Sequence, residues 1–169
     1  MGIFTPDVNN LRELYINMLQ HALSSEKQIV DKGLPAMIEK STSPELAQAF
    51  RNHLTESRQH VVRLERILDA TKGEVNESKC KVTAQLISSA EAEIDNAANE
   101  SIRDVILIAA GNQVEHHEIA VYGTLRTWAE VLGNQQDAQL LDKTLAEEEK
   151  ADQLLTKLSQ QINVAAPVA

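Results

Sequence analysis

Apolar side chains along the chain recur at helical spacing and nowhere alternate with polar ones, so the pattern predicts helices throughout. The first covers about Val8 to Lys40. Leu11, Tyr15, Leu19, Ala22, Ile29 and Val30 share one arc, with Glu26 inside it. Thr5-Pro6-Asp7 reads as its start, and Gly33 with Pro35 should bend or loosen it. The second runs from Ser43, an N-cap followed by Pro44, to about Lys72, where Gly73 stops it. Its stripe is Leu46, Phe50, Leu54, Val61, Leu64 and Leu68. Ser57 is central in that stripe, His53 and His60 lie to one side, and Glu56 sits at its margin. A polar linker, Glu74 to Lys81, leads to a shorter amphipathic helix over Val82 to Ala98. The fourth, from Ile102 to Gly133, is expected to start at a Ser101 N-cap with Asp104 as its capping-box partner. The last spans about Gln136 to Gln161.

Val105 to Leu132 is apolar almost all round, which predicts a helix buried on every side. Glu115 and Glu118 stand in its middle, three residues apart and hence on one face, with Ile108, Ile119 and Tyr122 within a quarter turn. Two ionised carboxylates there repel each other and lose hydration. That costs several kcal/mol unless a cation or proton compensates. A metal site accounts for such a pair better than a structural role does. Glu147, Glu148 and Glu149 interrupt the last helix's leucine stripe. Glu147 and Glu148 fall on opposite flanks of its centre and Glu149 outside, so either of the first two can face inward. A solvated acidic run paired with Lys150 is the ordinary alternative.

Four long helices and one short one, with a long connection between the second and third bundle helices, predict a ferritin-like four-helix bundle over residues 1–169, a single domain. Aromatics are only 3% of the chain, so Leu, Ala, Ile and Val must fill the core, which favours helix on helix. The net charge of −9 argues against nucleic acid or an anionic membrane as partner. No apolar run approaches the ~20 residues of a membrane span. The N-terminus lacks the basic start and apolar stretch of a signal peptide, and Cys80 has no partner for an internal disulfide, so a cytoplasmic protein is expected. Lys79 and Lys81 flank that thiol and can lower its pKa, although a plain structural thiol is commoner. Phosphate loops, a Ser/His/Asp signature and paired zinc cysteines are absent from the sequence.

Dinuclear sites in ferritin-like bundles take one Glu from each of two helices and a Glu-x-x-His from each of the others. Here each long helix offers a carboxylate near the core face at a similar height: Glu26, Glu56, Glu115 and Glu147. The stretches S-S-E-K-Q from Ser24, H-L-T-E-S from His53, I-L-I-A-A-G-N-Q-V-E-H-H-E-I-A-V-Y-G-T-L from Ile106 and T-L-A-E-E-E-K from Thr144 make the match specific. Over about Val8 to Ser159 the chain resembles the YciE/YciF family of bacterial ferritin-like, rubrerythrin-like stress-response proteins, on its YciF side. That resemblance implies a stress-linked bundle, often a dimer, with Glu26, Glu56, Glu115, Glu118 and Glu147 as its site. Two departures stand out. Gln59 occupies the position three after Glu56, with His60 one residue late, and Lys150 occupies the position three after Glu147.

Two functions follow. The first is a non-haem centre of two iron ions, or manganese, reducing peroxide or oxygen as Fe(II) is oxidised. Its candidate ligands are Glu26, Glu56, His60, Glu115, Glu118 and Glu147 or Glu148; His60 or His53 would supply nitrogen or support the ligands from outside. Glu26 and Glu147 would be terminal, Glu56 and Glu115 bridging, and Glu118 movable. The second is a structural or interaction protein on the same fold, its site decayed, with Trp128 as a dimer anchor. A homodimer is the expected assembly in either case.

Overall fold

The computed structural model describes residues 8–71 and 79–168. Helix α1 is Leu11–Gln28. It continues through a π-helical turn, Ile29–Gly33, into α2, Leu34–Lys40. Then come α3, Pro44–Thr71; α4, Lys81–Asp95; α5, Glu100–Val131; and α6, Gln135–Ile162, ending in a 3-10 turn at Asn163–Ala165. The α1–α2 rod, α3, α5 and α6 form the four-helix bundle. The short α4 lies in the crossover and packs on α5, with lighter contacts to α1. No strand occurs among the described residues.

Local chemistry sets the helix ends. Helix α1 begins later than the expected Val8, because the Asn10 side chain accepts the Glu13 N–H at 3.0 Å while Glu13 reaches back to accept from the Asn9 N–H at 2.8 Å. The Thr5-Pro6-Asp7 start and the Gly73 stop lie outside the described residues. The π turn is the loosening expected from Gly33 and Pro35. Pro35 has no N–H to offer the carbonyl four residues back, and the extra residue carries the inward face from Glu26 and Ile29 to Leu34 and Met37. Ser43 caps α3, accepting the Leu46 N–H at 3.3 Å. Gly133, at φ 77°, closes α5, with the Asn134 N–H bonded to the Ala129 carbonyl at 2.8 Å.

The capping box expected at Ser101 and Asp104 does not form. Asn99 caps α5, accepting the Ile102 N–H at 3.0 Å. Asp104 is buried instead and clamps the α2–α3 turn. It accepts from the Thr42 N–H at 2.9 Å, the Thr42 hydroxyl at 2.6 Å and the Ser43 N–H at 2.8 Å. One carboxylate thus ties the turn to the long helix.

The core falls into two apolar clusters. One gathers Tyr15, Leu19, Leu64, Leu68, Leu125 and Leu141 among others. The second gathers Ile29, Leu34, Leu46, Phe50, Leu107 and Leu155. Trp128 packs half-buried against the first cluster. In each bundle helix the residues between the two clusters are polar: Glu26; His53, Ser57 and His60; Glu115 and Glu118; Glu148.

Asp104→Ala is expected to leave two backbone N–H groups without an acceptor and to lower stability by roughly 2–4 kcal/mol in urea denaturation. A loss under about 0.5 kcal/mol would show that the turn holds without the clamp.

Candidate metal centre

The polar layer is built from α1, α3, α5 and α6. His53, Glu115, Glu118 and Glu148 can each place one ligand atom within 4.8 Å of the others, and so can Glu26, His60 and Glu148. Glu148 belongs to both groups, and its two oxygens point different ways. Oε1 lies 3.0 Å from His60 Nδ1, and Oε2 lies 3.5 Å from His53 Nε2. Glu115 Oε1 is 3.3 Å from the same His53 nitrogen. Glu26 Oε1 accepts from Tyr122 Oη at 2.5 Å and lies 3.0 Å from His60 Nδ1. A single N–H at His60 Nδ1 faces Glu26 and Glu148 at equal distance. Its hydrogen-bond geometry favours Glu26, so the Glu148 contact is an ion pair.

Burial decides between the neighbouring carboxylates of α6. Glu148 is fully buried, at 0% side-chain exposure, whereas Glu147 is 22% exposed. Glu147 stands behind the layer. It meets His60 Nε2 at 3.0 Å and holds both guanidinium nitrogens of Arg63, one in a very short contact and Nη2 at 3.1 Å. Arg63 Nη1 also donates to the Thr144 hydroxyl at 3.0 Å. Glu56 is 36% exposed, 3.9 Å from His53 Nδ1 and in neither convergent group. Gln59 and Lys150 face solvent, so the α6 lysine does not occupy the layer.

Charge in the layer is shared. Burial raises Glu115 and Glu118 well above the usual carboxylate range, and neighbouring carboxylates add to this; Glu26 is raised as well, with burial the main cause. Burial pushes both imidazoles down, but the surrounding carboxylates outweigh it. Glu115, Glu56 and Glu148 bring His53 up to about 9. Glu148 and Glu26 bring His60 up to about 11. Burial also favours the neutral form of Glu148, yet His60 and His53 hold it ionised, below the usual range. Protons therefore compensate the negative charge. Burial likewise raises the Tyr122 phenol well above its ordinary range, with Glu26 adding to the effect.

Sequence spacing placed Glu26, Glu115, Glu118 and His60 at the core, and the structure brings all four together. His53, the other candidate nitrogen, joins the convergent groups, and of Glu147 and Glu148 it is Glu148 that takes the α6 position. The i to i+7 spacing of His53 and His60, two full turns, was the available signal for pairing them.

A family described as a domain of unknown function, DUF892, matches residues 10–166. Protein YciF of Escherichia coli (strain K12) is 34% identical over 154 residues, 90% of this chain and 92% of that protein. The chain belongs to the YciF-like, DUF892 family. The crystal structure of the E. coli stress protein YciF has a TM-score of 0.89 at 33% identity, covering 94% of this chain and 100% of that one. YcfI of Rhodopseudomonas palustris, which carries a structural-protein description, gives 0.84 at 30% identity over 98% and 100%. A Xanthomonas campestris protein, at 24% identity and TM-score 0.74, shares the fold. Among the described residues no helix is long and apolar enough to cross a membrane.

The raised groups fix a sign for pH dependence in this YciF-like chain. A histidine whose folded pKa lies above its ordinary 6.5 contributes stability in full below that value. The contribution is lost as pH rises through about 9 for His53 and about 11 for His60. The raised carboxylates Glu26, Glu115 and Glu118 act in the same direction. Metal-free protein should therefore show a urea midpoint that falls steadily from pH 7 to pH 11, and His53 should titrate by NMR near 9. A His53 midpoint near 6.5 would contradict the charge-sharing layer.

Proposed function

We propose that this chain is a stress-associated ferritin-like protein that holds a non-haem centre of two iron ions, or manganese, within the polar layer. The observation behind this is a set of buried oxygens with no hydrogen-bond partner: Glu26 Oε2, Glu115 Oε2, Glu118 Oε2 and both oxygens of Glu148. Buried polar atoms are as a rule hydrogen-bonded. Bare carboxylate oxygens gathered around two imidazoles are the donor set of a hard or borderline cation.

A carboxylate-bridged iron pair, when bound, supplies peroxide or oxygen reduction coupled to Fe(II) oxidation. The chain's own residues divide the work. Glu148, whose oxygens face the two groups, would help to hold an ion on either side. Glu26 and His60 would hold one, and His53, Glu115 and Glu118 the other. Glu147, backed by Arg63, would keep the proton on His60 Nε2 and leave Nδ1, once it gives up its own proton, to bind the ion, the supporting role that a carboxylate behind a metal-binding histidine commonly plays. Glu56 then steadies His53 from the rim rather than bridging. The apolar clusters on either side keep bulk water out. A single domain working in the cytoplasm as a homodimer completes this reading.

The alternative is an interaction protein whose layer is held by protons. It is favoured by His60 lying between Glu26 and Glu147 with both ring nitrogens engaged.

Anaerobic titration with Fe(II) or Mn(II) separates the two. The metal reading expects two ions per chain, with protons released as both imidazoles give them up. Glu148→Ala should lose at least one ion and Glu115→Ala should bind more weakly, by about 10-fold or more in each case, whereas Glu56→Ala keeps both ions. Protein that stays metal-free after loading supports the alternative.

A further inference from the structure

A cavity of about 90 Å³ lies between α3 and α6 and reaches α5 at Glu115. Its walls grade from wet to dry. Asn52, Lys150 and Leu154 are exposed and form the mouth, and the Glu56 side chain is 36% exposed beside them. His53 and Glu115, both members of the polar layer, close the inner end at 4% and 3% exposure. His53 turns Nε2 to Glu115 and Glu148, while its Nδ1 faces Glu56 Oε2 at 3.9 Å. That Nδ1 is buried and has no hydrogen-bond partner, an uncommon state for a buried polar atom.

Glu56 and Glu147 both stand outside the convergent groups, for different reasons. Glu147 is held by Arg63 and His60. Among the described residues, His53 is the one basic side chain within ion-pair reach of Glu56. A divalent cation in water carries a full hydration shell, and the layer is too closed to admit it whole. Each water shed on the way in has to be replaced by a protein oxygen or nitrogen. A second cavity that reaches His53 and Glu115, of about 40 Å³, offers little for this. Ile29, Ile87, Ala90 and Val114 line it, and its rim carboxylate, Glu91, is engaged by Lys32 at 3.1 Å.

We propose that the cavity between α3 and α6 is the port by which divalent cations enter and leave the layer, with Glu56 as the carboxylate that takes the ion at the mouth and passes it by His53 to Glu115. The proposal rests on the metal reading of the layer and adds the route to it. Glu56 holds the ion only in passage, so it sets how fast ions come and go and not how tightly they are held. Removing it raises one barrier that both directions cross. Uptake and release then slow by the same factor, and affinity is unchanged. Lys150 stands at the same mouth, but its charge is exposed and largely screened by salt.

The test uses the full chain and Fe(II) alone, without oxygen. Equilibrium titration gives stoichiometry and affinity. Mixing with Fe(II) and, after a set delay, with excess ferrozine gives both rates, because free Fe(II) colours at once and bound Fe(II) only as it leaves. Glu56→Gln is expected to slow uptake and release by about ten-fold or more each, while stoichiometry and affinity match the unmodified chain. Glu91→Gln, at the apolar cavity, should leave both rates as they were. Unchanged rates in Glu56→Gln, or an equal slowing in Glu91→Gln, overturn the port and leave the metal centre standing. Weaker equilibrium binding in Glu56→Gln makes Glu56 a ligand of the filled site and also overturns the port. A chain that takes up no Fe(II) overturns both.

Discussion

Six ionisable side chains buried in one layer set the terms for the rest of this molecule. Glu26, Glu115, Glu118 and Glu148 meet His53 and His60 in the middle of a helical bundle, away from water. Burying one unpaired charge costs several kcal/mol, so the layer persists only if its members compensate one another or share a cation. In the metal-free chain, protons do this: both imidazoles are charged and the carboxylates other than Glu148 are pushed towards their neutral forms. A divalent ion would do the same with fewer protons, which is why metal loading and acid–base behaviour are two views of one constraint.

The fold serves that layer. Two apolar clusters lie on either side of it, and each bundle helix crosses from one to the other through its polar residues. The π turn begins at Ile29, just past the end of α1 and less than one turn beyond Glu26, where it resets the face that α1 and α2 present to the interior. The Asp104 clamp holds the turn that joins α2 to α3, and α3 carries both imidazoles. Behind His60, Glu147 and Arg63 continue the polar contacts outwards, so the layer is buttressed from the surface.

Much of this was legible in the residues. The apolar stripes located the helices, and the long polar connection located the crossover. Glu115 and Glu118 were conspicuous because they share one helix face with Ile108, Ile119 and Tyr122 in a largely apolar run. The choice within Glu147-Glu148-Glu149 was not legible, since periodicity left the first two equally displaced from the stripe's centre and only packing separates them. Asp104 misled for a related reason. A carboxylate three residues past a serine resembles a local cap, whereas its three actual donors lie some sixty residues away in sequence on another turn. Cys80 drew attention to its lysine neighbours, while the groups that act on it, Thr83 and His117, come from α4 and α5.

The central claim is that the layer is a two-ion site organised by Glu148. Anomalous diffraction at the manganese or iron edge, from crystals of the loaded protein, tests it most directly. The account predicts two peaks flanking Glu148, one beside Glu26 and His60 and the other beside His53, Glu115 and Glu118. An interior with no peak, or metal confined to the acidic surface, would contradict it.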